Sequence, residues 1–98
     1  MAGKQKVVII TGASQGIGAA LVPAYRKLGY AVVANSRAIA PSEDPEVLTV
    51  PGDVAVPGVG ARIAAEPLAR FGRIDSLVNN AGGPLRKASQ HELHEYAH

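Results

Sequence analysis

The sequence of 98 residues has no cysteine and no tryptophan. Disulfides, cysteine-ligated metal sites and thiol nucleophiles are therefore excluded, and the lack of cysteine leans toward a cytoplasmic protein. No apolar run approaches the ~20 residues of a membrane span. Lys4 and Lys6 precede the run Val7 to Ile10, but that run is too short for a signal-peptide core and ends in Thr11-Gly12. A strong charge of either sign is also missing. The formal net charge is +2 and the basic residues are scattered, whereas a nucleic-acid partner calls for a basic stripe. No membrane and no nucleic acid are thus expected as partners. What remains is ordinary: 47% hydrophobic and 18% charged residues suit one small folded domain. No repeat, low-complexity segment or domain boundary is visible, so residues 1–98 read as one unit, with 1–5 and 86–98 as its less certain ends.

The run Val7 to Ile10 is continuous and rich in β-branched residues, as in strands covered on both faces. Gly12, Gly16 and Gly18 follow, and then Ile17, Leu21, Ala24 and Leu28 recur at helical spacing before Gly29. Tyr30 to Ala34 and Val47 to Val50 are two more apolar runs. A second helical pattern through Val59, Ile63, Leu68 and Phe71 closes at Gly72, and Ile74 to Val78 is a fourth apolar run. Alternating strands and helices imply parallel pairing through right-handed crossovers. The segment from Ala38 to Glu46 holds Pro41 and Pro45 and predicts a loop or a single turn rather than a crossover helix. Pro23 and Pro67 fall inside the two helices; each reads as a kink on a solvent face, because the flanking pattern continues past it.

The segment Thr11-Gly12-Ala13-Ser14-Gln15-Gly16-Ile17-Gly18 joins the first strand to the first helix. A pyrophosphate needs backbone N–H donors, the positive end of a helix and no side chains in the way, and glycines provide that. A plain tight turn is the alternative for a lone glycine cluster. Here a strand precedes it, a helix follows, and another strand lies beyond. Thr-Gly-x-x-x-Gly-x-Gly in this setting resembles the short-chain dehydrogenase/reductase family. Asn79-Asn80-Ala81-Gly82 after the fourth run looks like that family's second signature, and Asp53-Val54 looks like its adenine-contacting pair. The resemblance runs from Lys6 to Gly82, the first part of a typical member. It implies an α/β fold of Rossmann type: three layers around a parallel sheet of strand order 3-2-1-4, the truncated half of a doubly wound fold. It also implies a nicotinamide dinucleotide as cofactor and a small carbonyl or alcohol substrate. Gly12, Ser14, Ile17 and Gly18 would surround the pyrophosphate, Asp53 and Val54 the adenine, and Asn79 and Asn80 the adjoining ribose; Gln15, Gly16, Ala81 and Gly82 belong to the same two signatures and are expected at the cofactor as well.

Ser36 stands where NAD-preferring members of the family carry aspartate, and Arg37 follows it. A carboxylate there would repel a 2′-phosphate, whereas a guanidinium binds one with two donors. The expected cofactor is therefore NADP in preference to NAD. The other reading makes Arg37 a solvated loop arginine. Gln15 departs from the basic residue that many NADP-preferring members have at its place.

The resemblance also implies a serine, tyrosine and lysine set, the last two as Tyr-x-x-x-Lys. Tyr25 and Tyr30 have no lysine four places on, and Tyr96 is followed by two residues. No catalytic residue is assigned, and the 98 residues alone are expected to be inactive. Ser89-Gln90-His91-Glu92 fits a capping box. His91, His94, Glu95 and His98 could gather on a helix, but exposed histidines at a polar helix start are the plainer reading, and no metal site is assigned. Three classes of function stay open: an oxidoreductase of this family, a non-catalytic NADP-binding or interaction protein, and a small metal-binding module. A homo-oligomer is compatible with each.

Overall fold

The structure is a computed structural model that describes residues 5–80. The elements run β1 (Val7–Ile10), α1 (Gly16–Lys27), β2 (Ala31–Ser36), β3 (Val47–Pro51), α2 (Val59–Phe71) and β4 (Ser76–Val78). Residues 37–46 contain no helix. The expectations for Ala81 and Gly82, for the capping box at Ser89, and for His91, His94, Glu95, Tyr96 and His98 lie outside the described residues.

The four strands form one sheet in the order β3-β2-β1-β4, every pair parallel. β1 lies in the middle, with Val8 opposite Val32 on one side and Ser76 on the other. Its continuous apolar run fits that place, because both of its faces are covered. Alternate residues point to opposite faces. Val7, Ile9, Ala31, Val33 and Val50 pack against Ile63 and Ala64 of α2. Val8, Ile10, Val32, Ala34 and Val47 pack toward Leu21, Val22 and Tyr25 of α1. The two helices thus cover opposite faces, completing three layers.

The inward face of α1 differs from the expected one. Ile17 and Leu28 are each 72% exposed and Ala24 is exposed too; Gly18, Val22 and Tyr25 turn inward beside Leu21. The apolar residues of this helix spread around more than one face, and contact with β1 and β2 selects the stripe that begins at the side-chain-free Gly18. Pro23 is exposed, as a solvent-side kink requires, but Pro67 is buried. Its ring is apolar and is among the fully buried side chains, so it faces the interior rather than solvent. β4 is shorter than its apolar run and begins at Ser76, not Ile74.

Charged groups tie the sheet's outskirts. Arg73 chelates the carboxylate of Asp75, and that carboxylate also accepts the Val7 N–H at 2.8 Å. The Arg73 guanidinium, and then the Val7 N–H, hold the Asp75 carboxyl below its usual range despite partial burial. Arg26 bonds Asp44 at 2.8 Å and the Tyr30 carbonyl at 2.8 Å, anchoring the long loop to the end of α1. The Arg26 bond, with help from the Glu46 N–H, lowers the Asp44 carboxyl as well.

Candidate functional site

In a parallel sheet all strands end on one edge, so the segments following β1, β2, β3 and β4 gather there. The chain enters β1, steps outward to β2 and β3, then returns to the other side of β1 as β4. Such a reversal opens a crevice beyond the strand ends, the place where ligands bind in open α/β sheets.

The turn after β1 is held from both sides. The Ala13 N–H donates to the Asn35 carbonyl at 2.8 Å, and the Thr11 N–H to the Val78 carbonyl at 3.0 Å. Thr11 is fully buried, and its hydroxyl bridges to β4's end. It donates to Asn79 Oδ1 at 3.1 Å and accepts the Asn80 N–H at 2.9 Å. Asn80 Nδ2 donates to the Gly12 carbonyl at 3.2 Å. Asn79 and Asn80, expected beside a ribose, are thus engaged in clamping β4 to the glycine turn.

The glycines do different work. Gly16 has φ +56° and open space around it, a left-handed conformation that favours glycine. Gly18 fails to admit a side chain for want of room: a Cβ there would run into the Gly12 carbonyl oxygen and lie 2.7 Å from Asn80 Nδ2. Its absence lets the start of α1 lie against the turn after β1.

α1 opens without a side-chain cap at Gln15 and without an acidic residue in its first turn. First-turn N–H groups have no partner within a helix. Ser14, Gln15, Gly16 and Ile17 are exposed around that end, while Arg26 and Lys27 offset the opposite end of the helix dipole. A helix start of this kind is suited to an oxyanion. Beside it, the Ser14 and Ser36 hydroxyls lie 2.8 Å apart, bringing the glycine turn and the end of β2 together. Arg37 follows, exposed, and its guanidinium has no partner among the described residues.

Past β3, Asp53 and Val54 come to the same edge. Asp53 Oδ1 accepts the Ala55 N–H at 2.8 Å. The Val54 side chain is buried in the core on the α2 face, so its backbone is what it presents to the edge. Gly12, Ser14, Gln15, Gly16, Ile17, Gly18, Ser36, Arg37, Asp53, Val54, Asn79 and Asn80 therefore all lie at or just beyond the carboxyl ends of the four parallel strands.

Two residues of the site escaped the sequence analysis as individual contributors. Thr11 was visible as a hydroxyl ending an apolar strand, where a buried O–H must find partners. Asn35, 1% exposed, was visible as an amide directly after four apolar strand residues.

A parallel sheet of order 3-2-1-4 with helices on both faces and a glycine turn from the first strand into the first helix define a Rossmann-type α/β fold. The family described as short chain dehydrogenase matches residues 6–97, and the chain belongs to that family. An L-fucose dehydrogenase of Rattus norvegicus is 42% identical over 83 residues, which cover 79% of this chain and 30% of that protein. A short-chain dehydrogenase from Bacillus anthracis superposes with a TM-score of 0.72 at 36% identity, over 83% of this chain and 36% of that one. YwfH, an NADPH-dependent reductase involved in bacilysin biosynthesis, superposes with a TM-score of 0.71 at 27% identity, over 82% of this chain and 38% of that one. The chain spans about 30% of the length of the L-fucose dehydrogenases it matches.

Proposed function

We propose that these residues form the cofactor-holding part of an NADP-dependent oxidoreductase. The observation that carries the reading is the uncapped, acid-free start of α1 packed through Gly18 against the turn after β1. In this reading the N–H groups of Gly16, Ile17 and Gly18 hold the pyrophosphate, and Gly12, Ser14 and Gln15 flank it without blocking its approach. Ser36 with Ser14 faces the adenosine ribose. Arg37 takes the 2′-phosphate, its exposed guanidinium supplying two donors to one oxyanion. Asp53 and the Val54 backbone meet the adenine. Asn79 and Asn80, with Ala81 and Gly82 beyond the described residues, border the adjoining ribose and keep the β1–β4 crevice open.

When bound, the nicotinamide supplies reversible hydride exchange at its C4 with a small carbonyl or alcohol carbon. The described residues bind and orient; none of them is assigned as acid or base. Catalysis by these 98 residues alone is not part of the proposal, since none of their tyrosines stands in a Tyr-x-x-x-Lys pair. A non-catalytic nucleotide-binding role would use the same residues, and no specific observation favours it. The experiment is a titration of NADP into isotope-labelled protein, followed through backbone amide signals. The reading expects the largest shifts at Gly16, Ile17 and Gly18. Shifts confined to the far edge of the sheet, near Lys6 and Asp75, would refute it.

A further inference from the structure

Asn35 interrupts an apolar strand: β2 reads Ala-Val-Val-Ala-Asn-Ser, and the amide is 1% exposed. Burying an amide is costly unless its groups are bonded. Both donors are used on one target, the segment that leaves β3. Nδ2 donates to the Val50 carbonyl at 2.9 Å and to the Gly52 carbonyl at 3.1 Å. The backbone of the same residue does something else. Its carbonyl accepts the Ala13 N–H at 2.8 Å and so holds the glycine turn. Main chain and side chain thus serve two different walls of the crevice, and only one of them can be removed by substitution.

The segment held by the side chain leads directly into Asp53. Gly52 is fixed further by its own N–H, which donates to the Ser36 carbonyl at 3.0 Å. The Arg62 guanidinium donates to the Pro51 carbonyl. On the far side Val54 is buried. Asp53 sits between these anchors with Oδ1 taken by the Ala55 N–H, and Oδ2 has no hydrogen-bond partner among the described residues.

We propose that Asn35 is a positioning residue whose carboxamide fixes the Gly52–Val54 turn, so that Asp53 Oδ2 meets the edge of the dinucleotide's base and sets the preference for adenine. This rests on the reading of Asp53 and Val54 as the base-side residues. Adenine carries an amino donor at C6, where hypoxanthine carries a carbonyl acceptor. A carboxylate oxygen accepts from the first and repels the second. That discrimination requires the carboxylate to be held, because a turn free to swing would let it move away from the wrong base.

The test compares dissociation constants for NADP and its hypoxanthine analogue in the natural protein, in Asn35→Leu and in Asp53→Ala. Leucine keeps the shape of asparagine and removes both donors. The unmodified protein is expected to prefer adenine by roughly tenfold, the worth of about one hydrogen bond to a charged group. Asn35→Leu should lose most of that preference. Its affinity for the hypoxanthine analogue should stay within about twofold, because the glycine turn keeps its main-chain bond. Asp53→Ala should lose the preference as well. If Asp53→Ala loses it and Asn35→Leu keeps it, the positioning role is overturned and the base-side reading of Asp53 stands. If the unmodified protein has no preference, both fall. Equal weakening of the two ligands in Asn35→Leu marks a general structural effect and overturns the proposal. Should Asn35→Leu fail to fold, Asn35→Thr and Asn35→Val serve, because they differ by one hydroxyl donor in the same shape. Threonine must then retain more of the preference than valine, and equal values overturn the proposal.

Discussion

Replacing Gly18 with alanine should be far more damaging than replacing Gly16, although only Gly16 has a left-handed backbone. At Gly18 the added carbon would run into the Gly12 carbonyl oxygen and lie 2.8 Å from the carbonyl carbon. These are backbone atoms and cannot rotate aside. Overpacking of this kind costs about 1–3 kcal/mol, occasionally more, and the upper end applies where two backbones collide. Displacing Asn80 Nδ2 from the Gly12 carbonyl removes a 3.2 Å bond worth about 1 kcal/mol. Against this, alanine gains about 1 kcal/mol over glycine within a helix. The net loss is about 2–3 kcal/mol, a large share of the 5–15 kcal/mol that typically holds a domain. At Gly16 nothing lies within reach of a Cβ, so the cost is the left-handed backbone at φ +56°, about 1–2 kcal/mol. Urea titrations of Gly18→Ala and Gly16→Ala in the natural protein measure both, provided the slopes agree with the parent. A Gly18→Ala protein as stable as its parent, or a Gly16→Ala protein that is the weaker of the two, would refute the packing argument.

Asp75 makes stability fall in acid. Its folded carboxyl lies below the usual range because Arg73 and the Val7 N–H bind its charged form. Its contribution is therefore complete above the unfolded value of about 3.9 and is lost as pH falls through the lower folded value. Denaturant midpoints should show Asp75→Asn less stable than the parent at pH 7, with the gap closing as pH falls through the lowered folded value of the Asp75 carboxyl; a gap that is constant with pH would contradict the assignment. The isolated 98 residues should show no NADPH oxidation with a panel of ketones and quinones. Turnover that survives repurification and vanishes on changing Gly16 to a bulky residue would show that an acid/base group is present after all.

The sheet order was legible because it follows from strong local signals. Four apolar runs, separated by two helical patterns and one proline-bearing loop, admit few arrangements, and Gly12, Gly16 and Gly18 mark where the chain turns from β1 into α1. The inward face of α1 was not legible. Ile17, Leu21, Val22, Ala24, Tyr25 and Leu28 offer more than one apolar stripe, and only contact with the strands decides among them. Pro67 misled for a related reason: its missing N–H says solvent, its ring says core, and the packing of α2 favours the ring. The polar joints were hidden as well. Thr11 links β1 to Asn79 and Asn80 across 68 and 69 positions, and Asn35 reaches Gly52 across 17. Nothing in local periodicity reports which distant carbonyl a buried donor will find.

We propose that the loops at the strand ends take a nicotinamide dinucleotide with its 2′-phosphate on Arg37. Calorimetric titration of NADP and NAD into the natural protein and its Arg37→Ala variant tests it most directly. Hydrogen bonds to a charged group are worth about 1.5–3 kcal/mol, so the variant should bind NADP at least roughly tenfold more weakly. NAD, which lacks the phosphate, should bind both proteins about equally. Equal losses for the two cofactors, or an unmodified protein that binds neither, would contradict the account.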